Sequence, residues 1–243
     1  MRGRLAILVF ALAVAAGSAI AARAEPVVVF EEPLLTQFHF GLTPSKLPRT
    51  KSKPVRLSIA GSNKTRDGSH VPALRAVELQ LDRRFSFDLA GVPVCETGIH
   101  YDVRPNPIER ECADAAVAHG QVTVEVAFPE QPLTTASGAL TVYNRGRKPG
   151  GFDLDGWAYF SAPVTGGVYL PVKVRKASNG RYGWKAQLEA PKIAGGYGSI
   201  ASYSMHFLKG IVAASCGGRQ LQIASTSTFV DGTSRFVTGI HTC

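Results

Sequence analysis

The sequence predicts an all-β protein, an antiparallel β-sandwich of the Greek-key, immunoglobulin-like type with one short helix near residues 107–118. Most of the chain after residue 24 alternates apolar and polar residues with a period of two, the spacing of a half-buried strand. Antiparallel sheets with one wet face have this pattern, whereas strands of parallel sheets have longer unbroken apolar runs. One stretch alone carries a set of helix-capping signals.

Six segments contain the clearest alternation. In the first, Val55, Leu57 and Ile59 are separated by Arg56 and Ser58. The other five cover residues 77–81, 85–89, 122–128, 168–174 and 184–188. Each of the six is predicted to be a strand that buries one of its two faces.

The predicted helix begins at a well-marked N-terminus. Asn106 is a suitable N-cap, Pro107 fits the first helical position, and Glu109 stands at the spacing of a capping box. Gly120 can end the segment in a left-handed conformation. These signals predict a helix over residues 107–118.

The first 24 residues have the order of a secretory signal peptide. Arg2 and Arg4 precede an apolar run at 5–16, and small residues lead to an A-x-A site that ends at Ala24. Cleavage near Ala24 would release a secreted or cell-wall-associated protein without a transmembrane segment. The alternative is an uncleaved, membrane-tethered product.

The remaining chain is predicted to form one domain preceded by an extended segment. Residues 25–54 include a basic, proline-punctuated stretch that is typical of a solvated connector. Residues 55–243 are assigned to a single β-sandwich domain. Within it, residues 130–156 are rich in turn residues and are predicted to form a long connection.

Four cysteines in an exported chain predict disulfide bonds. The four are Cys95, Cys112, Cys216 and Cys243, and they allow three connectivities. We favour Cys95 with Cys112 and Cys216 with Cys243, because these pairs close the shortest loops. The first bond would attach the helix to the sheet. If Cys216 and Cys243 lay on two strands that flank a common strand, they would be about 10 Å apart, which is too far for a disulfide. The second bond therefore requires Cys216 to lie in a loop.

Two hairpins have predictable registers. A two-residue turn at Asp231 and Gly232 would place Phe229, Phe236, Ile223 and Ile240 on one face. The second hairpin is better served by a three-residue loop, Ser178 to Gly180. That loop would set Val174 opposite Trp184, and Val172 opposite Ala186.

The second hairpin also places Lys173 opposite Lys185, with Arg175 nearby, and these three residues form the candidate anion contact. Its expected partner is an anionic wall polymer or glycan, and no specific nucleic acid is expected. Three of the positive charges behind the formal +9 lie in the signal peptide, which weakens a charge-driven function. The alternative is that these side chains protect an edge strand from aggregation.

Trp157 and Tyr159 share one face of a strand and form the candidate aromatic platform. Exposed aromatic rows can stack on the flat apolar face of a sugar ring. The alternative interpretation is that these two residues belong to the core.

The sequence contains none of the common catalytic signatures. It has no G-x-S-x-G, H-E-x-x-H or P-loop motif, and its six histidines lack metal-ligand spacing. Asp153, Asp155 and Gly156 resemble the opening of a calcium loop, but no Glu stands at the twelfth position, so a turn before the Trp157 strand is preferred. No catalytic residue, metal or cofactor is predicted.

Several short segments, distributed over much of the chain, carry a resemblance to known sequences. They read SKLPR at 45–49, AFPE at 127–130, NGRYG at 179–183, PKIAGG at 191–196 and VDGT at 230–233, and Cys243 ends the sequence. In these segments the chain resembles a group of uncharacterised exported proteins of high-GC actinobacteria. The resemblance implies an exported β-rich fold and transfers no functional residues.

The sequence therefore predicts an exported, non-enzymatic β-sandwich that binds or supports a component of the extracellular or cell-wall space. The alternative is a secreted, carbohydrate-active hydrolase whose site is assembled from residues far apart in the chain.

Overall fold

The computed structural model describes residues 27–31, 34–101, 105–163, 165–218 and 220–243. The predicted signal peptide lies outside the described residues. The strands are β1 (Val27–Glu31), β2 (Leu34–Thr43), β3 (Lys53–Thr65), β4 (Leu74–Asp82), β5 (Phe85–Phe87), β6 (Ala116–Val126), β7 (Thr134–Lys148), β8 (Gly151–Phe160), β9 (Gly166–Asn179), β10 (Tyr182–Glu189), β11 (Gly198–Phe207), β12 (Val212–Ala214), β13 (Gln220–Phe229) and β14 (Ser234–Thr242). One short helix, α1 (Pro107–Glu111), precedes β6.

The strands form one antiparallel sheet in the order β1-β2-β3-β11-β6-β7-β8-β9-β10-β4-β13-β14, with β12 pairing β3 and β5. The sheet doubles over, so that β14 lies against β2 and β1. We call β1, β2, β3, β11, β6 and β7 the first half. The second half consists of β8, β9, β10, β4, β13 and β14. The all-β, antiparallel prediction is confirmed. A Greek-key or immunoglobulin-like topology is not confirmed, because the hydrogen-bonded order is continuous.

The inward faces of the two halves form the main core. Strand β2 alternates between buried and half-buried residues from Leu34 to Leu42. The rings of its Phe38 and Phe40 pack against Gly239 on β14, so closely that a Cβ there would collide with them. Phe40 also meets Phe85 edge-on, with the ring centroids 6.4 Å apart. Each of the six alternating segments contains a strand, as the period of two predicts, although β5 ends at Phe87 and β6 at Val126, before the segments 85–89 and 122–128 end.

Two parts of the predicted organisation contain strands that the sequence did not indicate. Strand β2, within the segment predicted to be extended, pairs with β1 and β3 in the sheet. Residues 130–156 contain the β7–β8 hairpin rather than a long connection. The glycines that resembled turn signals there include Gly138 and Gly151, where a Cβ would collide with a backbone carbonyl of the neighbouring strand.

The helix is shorter than predicted. The Asn106 side chain accepts a hydrogen bond from the Ile108 N–H, and Pro107 occupies the first turn, as expected. The helix ends at Glu111, a 3-10 turn follows at Ala113–Ala115, and β6 begins at Ala116. Residues 112–118 do not continue the helix, because Val117 and Ala118 are fully buried on the sheet.

Both predicted disulfides are confirmed. Cys95 and Cys112 have Cα atoms 5.3 Å apart, and Cys216 and Cys243 have Cα atoms 5.8 Å apart. Cys216 lies in the loop between β12 and β13, as the expected strand spacing required.

The predicted register of the β13–β14 hairpin is wrong by one residue. The Asp231 carboxylate accepts hydrogen bonds from the Thr233 N–H and hydroxyl, and Gly232 has a φ of 86°. Phe229 N–H bonds to the Thr233 carbonyl, which makes a three-residue loop. The shift turns Phe236 outward, at 59% exposure, and also turns Ile240 outward.

The register of the β9–β10 hairpin is wrong by two residues. The loop is shorter than predicted, since Asn179 pairs with Tyr182, and a bulge follows between Tyr182 and Trp184. Val174 therefore lies opposite Ala186, and Val172 opposite Leu188. A two-residue shift preserves the face of every side chain, so the predicted inward face is correct.

Candidate functional site

A segment outside the sheet covers the outer face of β7 and β8. We call residues 88–101 and 105–115 the cap. The Cys95 N–H bonds to the Asn144 carbonyl at 2.8 Å, and the Asn144 amide donates to the carbonyls of Val92 and Pro93. The Cys95–Cys112 bond closes the cap on itself. The cap is thereby fixed to β7 by backbone groups at several points.

Trp157 lies beneath the cap in a second apolar cluster. Its ring is 2% exposed, and its Nε1–H donates to the Glu109 carboxylate of α1 at 2.8 Å. Tyr101 meets the Trp157 ring edge-on, at 5.7 Å between centroids. Trp157 is therefore not an exposed platform, because the cap covers its outward face. Tyr159 is half-buried at the edge of the same cluster.

A buried carboxylate adjoins this cluster. Asp155, on β8, is 7% exposed; its Oδ2 lies 2.9 Å from Arg145 Nε, and its Oδ1 accepts from the Tyr169 hydroxyl at 2.9 Å. Burial raises the pKa of Asp155, although Tyr169 and Arg145 act against the rise. Burial and the bond to Asp155 raise the pKa of Tyr169 to about 12. At neutral pH this tyrosine is a fixed hydroxyl donor.

The residues that resembled a calcium loop lie within β8 and not in a turn before it. Asp153 is paired with Arg175 at 2.7 Å, and Asp155 with Arg145. No group of three or more His, Cys, Asp or Glu residues able to hold a metal occurs in the described part of the chain.

A pocket of about 400 Å³ opens at the end of the doubled sheet, where β9 begins. We call it the end pocket. Tyr101 of the cap, Phe128 after β6 and Tyr169 of β9 line it. Gly166 and Gly167 contribute bare backbone; a Cβ at Gly167 would collide with the Trp157 ring, and open space lies over Gly166. Aromatic side chains and exposed backbone thus surround one concavity.

The loop 191–197 closes the opposite side of the end pocket, with Lys192 and Ile193 in its lining. Ala194 has a φ of 48°, a left-handed conformation that costs a non-glycine residue free energy. The loop is held by the Gly198 N–H bonding to the Ile193 carbonyl, and by Tyr197 packing on Phe128 at 5.7 Å. Backbone strain of this kind is concentrated at functional sites in proteins.

The three residues of the candidate anion contact share the outer face of β9 and β10. Lys185 lies opposite Arg175 rather than Lys173, which pairs with Gln187. Arg175 is bound to Asp153, and Lys185 to Glu78 at 3.0 Å. Burial opposes ionisation of Glu78, but hydrogen bonds from Gln80 and Lys185 outweigh it and lower its pKa. Lys173 is exposed in a groove of about 330 Å³ that also contains Glu78. Acidic neighbours therefore compensate two of the three cations.

Sequence reasoning missed most of the end pocket. Tyr101, Phe128 and Lys192 come from three separate loops, and no local pattern connects them. The available signal was Gly166-Gly167 at the start of an alternating run. It marks a position where another group approaches the backbone closely.

The described residues thus define an all-β protein with a capped aromatic cluster and a ligand-sized pocket at one end of the sheet. No family model matches the chain, and no curated protein or solved structure matches it. No helix in the described ranges is long and apolar enough to cross a membrane.

Proposed function

We propose that the protein is an exported binding protein that holds a sugar ring of a neutral glycan in the end pocket and performs no reaction on it. The observation that carries this proposal is the set of four aromatic side chains around about 400 Å³, namely Tyr101, Phe128, Phe160 and Tyr169. Export is supported by the two disulfides, which persist in oxidising compartments.

The chemistry of the end pocket suits a sugar. Its volume falls within the range of about 300 to 1,000 Å³ for small-molecule sites. Aromatic rings provide flat apolar surfaces, and their hydroxyls provide polar tips for orientation. The bare backbone at Gly166 lets a ring approach the sheet closely. Lys192 adds a hydrogen-bond donor at the exposed edge.

The pocket is organised before a ligand arrives. Tyr101 packs edge-on against Trp157, which is held by its hydrogen bond to Glu109 of the cap. Phe128 is held by Tyr197, and Tyr169 by Asp155. Fixed side chains lose little conformational entropy on binding, which increases affinity.

Charge favours a neutral ligand over an anionic polymer. Arg175 and Lys185 are paired with acids, and both lie on the β9–β10 face rather than in the end pocket. An anionic ligand would have to compete with Asp153 and Glu78 for these cations. The anion-contact hypothesis thus rests mainly on Lys173.

The hydrolase alternative has one observation in its favour, the raised pKa of Asp155 close to the end pocket. Both oxygens of that carboxylate are engaged, however, by Arg145 and Tyr169. A hydrolase would release reducing sugar from a glycan and lose that activity in Asp155→Asn. A binding protein would release none.

The direct test is calorimetric titration of the protein with neutral gluco-, manno- and galacto-oligosaccharides. We expect binding to at least one, and at least a tenfold loss of affinity in Tyr101→Ala. Tyr182→Ala is the matched control, because Tyr182 lies at the other end of β9 and β10. Failure of every neutral glycan to bind would overturn the proposal, as would unchanged affinity in Tyr101→Ala.

A further inference from the structure

A second space lies deeper in the molecule, between the two halves of the sheet. This central cavity has a volume of about 90 Å³. Val122, Leu140 and Ile200 form one wall, and Leu170, Val172 and Leu188 form the other. It therefore lies among the side chains of the main core.

The central cavity is unsuited to water. Among the described residues on its wall, Tyr203 carries the one hydroxyl, which is hydrogen-bonded with the Ser225 side chain. Burial raises the pKa of Tyr203 to about 12, so this hydroxyl stays neutral. A buried water needs two to four polar partners, whereas apolar cavities stay dry and bind apolar molecules.

The lining of the central cavity is underpacked. Leu79, Val172, Ala186, Leu188 and Met205 all point inward, yet each remains partly accessible. Protein cores are normally packed as densely as organic crystals, with few voids larger than a water molecule. A cavity of this size costs stability unless an apolar group fills it.

The central cavity and the end pocket are adjacent along the same strands. On β6, Val122 lines the cavity and Val124 lines the pocket; on β9, Leu170 lines the cavity and Val168 the pocket. Each step is two residues, about 7 Å along a strand. Val124 and Val168 are both buried, and each lies two residues along its strand from a residue that lines the cavity. We call these two side chains the valine layer.

From this continuity we infer that the ligand is an alkylated sugar, whose ring occupies the end pocket and whose alkyl chain passes between Val124 and Val168 into the central cavity. The inference rests on the proposed function, and it adds that the ligand is amphipathic. An apolar chain would fill a space that has no polar group to satisfy, and the ring would remain among the hydroxyls and the backbone of the pocket.

The size of the cavity sets the expected chain length. Its volume equals that of about three liquid water molecules. The chain must first cover the distance from the pocket past the valine layer. Affinity should therefore increase with chain length up to about octyl and then level off.

The test is a series of methyl, butyl, hexyl and octyl β-D-glucosides, titrated below their micelle concentrations. β-Glucosides are chosen because their equatorial hydroxyls leave the ring faces flat and apolar. We expect affinity to increase about fourfold for each methylene that enters the cavity. Ala186→Leu, which fills the cavity, should abolish this increase and leave methyl glucoside affinity unchanged.

Ala139→Leu is the matched control, because Ala139 lies on the exposed outer face of β7. Val172→Ile fills the cavity less and should reduce the increase in part, which covers the case in which Ala186→Leu does not fold. A flat chain-length series would overturn the inference, as would an increase that persists in both cavity-filling variants. In either case, the proposed function would still hold if methyl glucoside or a neutral glycan binds. If no glucoside of the series and no neutral glycan binds, both the proposed function and this inference are wrong.

Discussion

The outer face of the sheet differs between two regions: the cap lies over β8 and the end of β7, whereas β6, β11 and the start of β7 are uncapped. The uncapped region carries polar side chains, such as Thr123 and Ser137, whose hydroxyls lie 2.9 Å apart across β6 and β7. The capped region carries Trp157, whose apolar ring is removed from water, and Asp155, whose burial is compensated by Arg145 and Tyr169. The cap covers Trp157. The difference indicates that the chain adds an extra segment over the part of the sheet whose outer face carries a large apolar ring.

The uncapped face still contains one pairing of note. His119 and His206 are directly opposite on β6 and β11, with ring centroids 6.4 Å apart. Both side chains are exposed, and their neighbours Thr141 and Ser58 are neutral. The two histidines therefore have neutral cross-strand neighbours and lie outside the region that the cap covers.

The largest expected effect comes from releasing the cap. Replacing Cys95 and Cys112 together by Ser should cost about 3 kcal/mol of unfolding free energy in the chain-entropy account. It should also shift tryptophan emission to the red, because Trp157 gains access to water. Urea unfolding and fluorescence spectra measure the two effects.

The matched control is the Ser replacement of Cys216 and Cys243, which close a loop of 27 residues instead of 17. It should cost a similar free energy, about 3.5 kcal/mol, without altering the end pocket. Equal loss of glycan affinity in both double variants would contradict a specific role for the cap.

A smaller effect is expected from the Trp157 hydrogen bond. Trp157→Phe keeps an aromatic ring under the cap but leaves the Glu109 carboxylate without the Nε1–H donor. The loss should be about 1 to 3 kcal/mol, the cost of removing a hydrogen bond to a charged group. Chemical denaturation measures it, and Tyr159→Phe is the comparison variant within the same strand. A Trp157→Phe protein as stable as the wild type would indicate that the indole does not hold the cap.

The strands and the disulfides could be predicted from the sequence because they depend on local spacing. Alternation identifies the inward face of Val172 or Ala186, and short loops favour Cys95 with Cys112. Alternation does not say whether an outward residue such as Trp157 meets water or a cap. That depends on a segment about 50 residues earlier, which no local pattern connects to β8.

Registers and ion pairs escaped prediction for related reasons. Hydrogen bonds from Thr233 to the Asp231 carboxylate stabilise a three-residue loop. The resulting register turns Phe236 outward, although the apolar pattern predicts that it faces inward. Lys185 forms an ion pair with Glu78 because β10 pairs with β4, and these two strands are far apart in the sequence. The residues of the end pocket meet for the same reason, through topology rather than spacing.

Alkaline pH should affect the capped face through Tyr169. Its pKa is raised from 10.0 to about 12 in the folded protein. The associated stability is present below about pH 10 and is lost as pH increases towards 12. Absorbance at 295 nm should show Tyr169 and Tyr203 titrating late, and the Tyr169 contribution should disappear in Tyr169→Phe. That variant should lose less stability over this pH range. An unchanged late titration would contradict the Asp155–Tyr169 contact.

The smallest effect is expected on the uncapped face. Thr123→Ala removes an exposed hydroxyl bonded to Ser137 and should change the unfolding free energy by less than about 0.5 kcal/mol. Glycan affinity should be unchanged. A loss of binding in Thr123→Ala, measured by the same titration, would move the site to the first half of the sheet.

We propose that the capped end of the sheet is a sugar-binding site. The decisive experiment is titration of methyl β-D-glucoside and the neutral glycan panel into the wild type, Tyr101→Ala and Tyr182→Ala. Tyr101→Ala should lose at least tenfold in affinity, while Tyr182→Ala should bind like the wild type. Equal affinity of all three proteins, or no binding by any of them, would mean that this end of the sheet does not bind sugar.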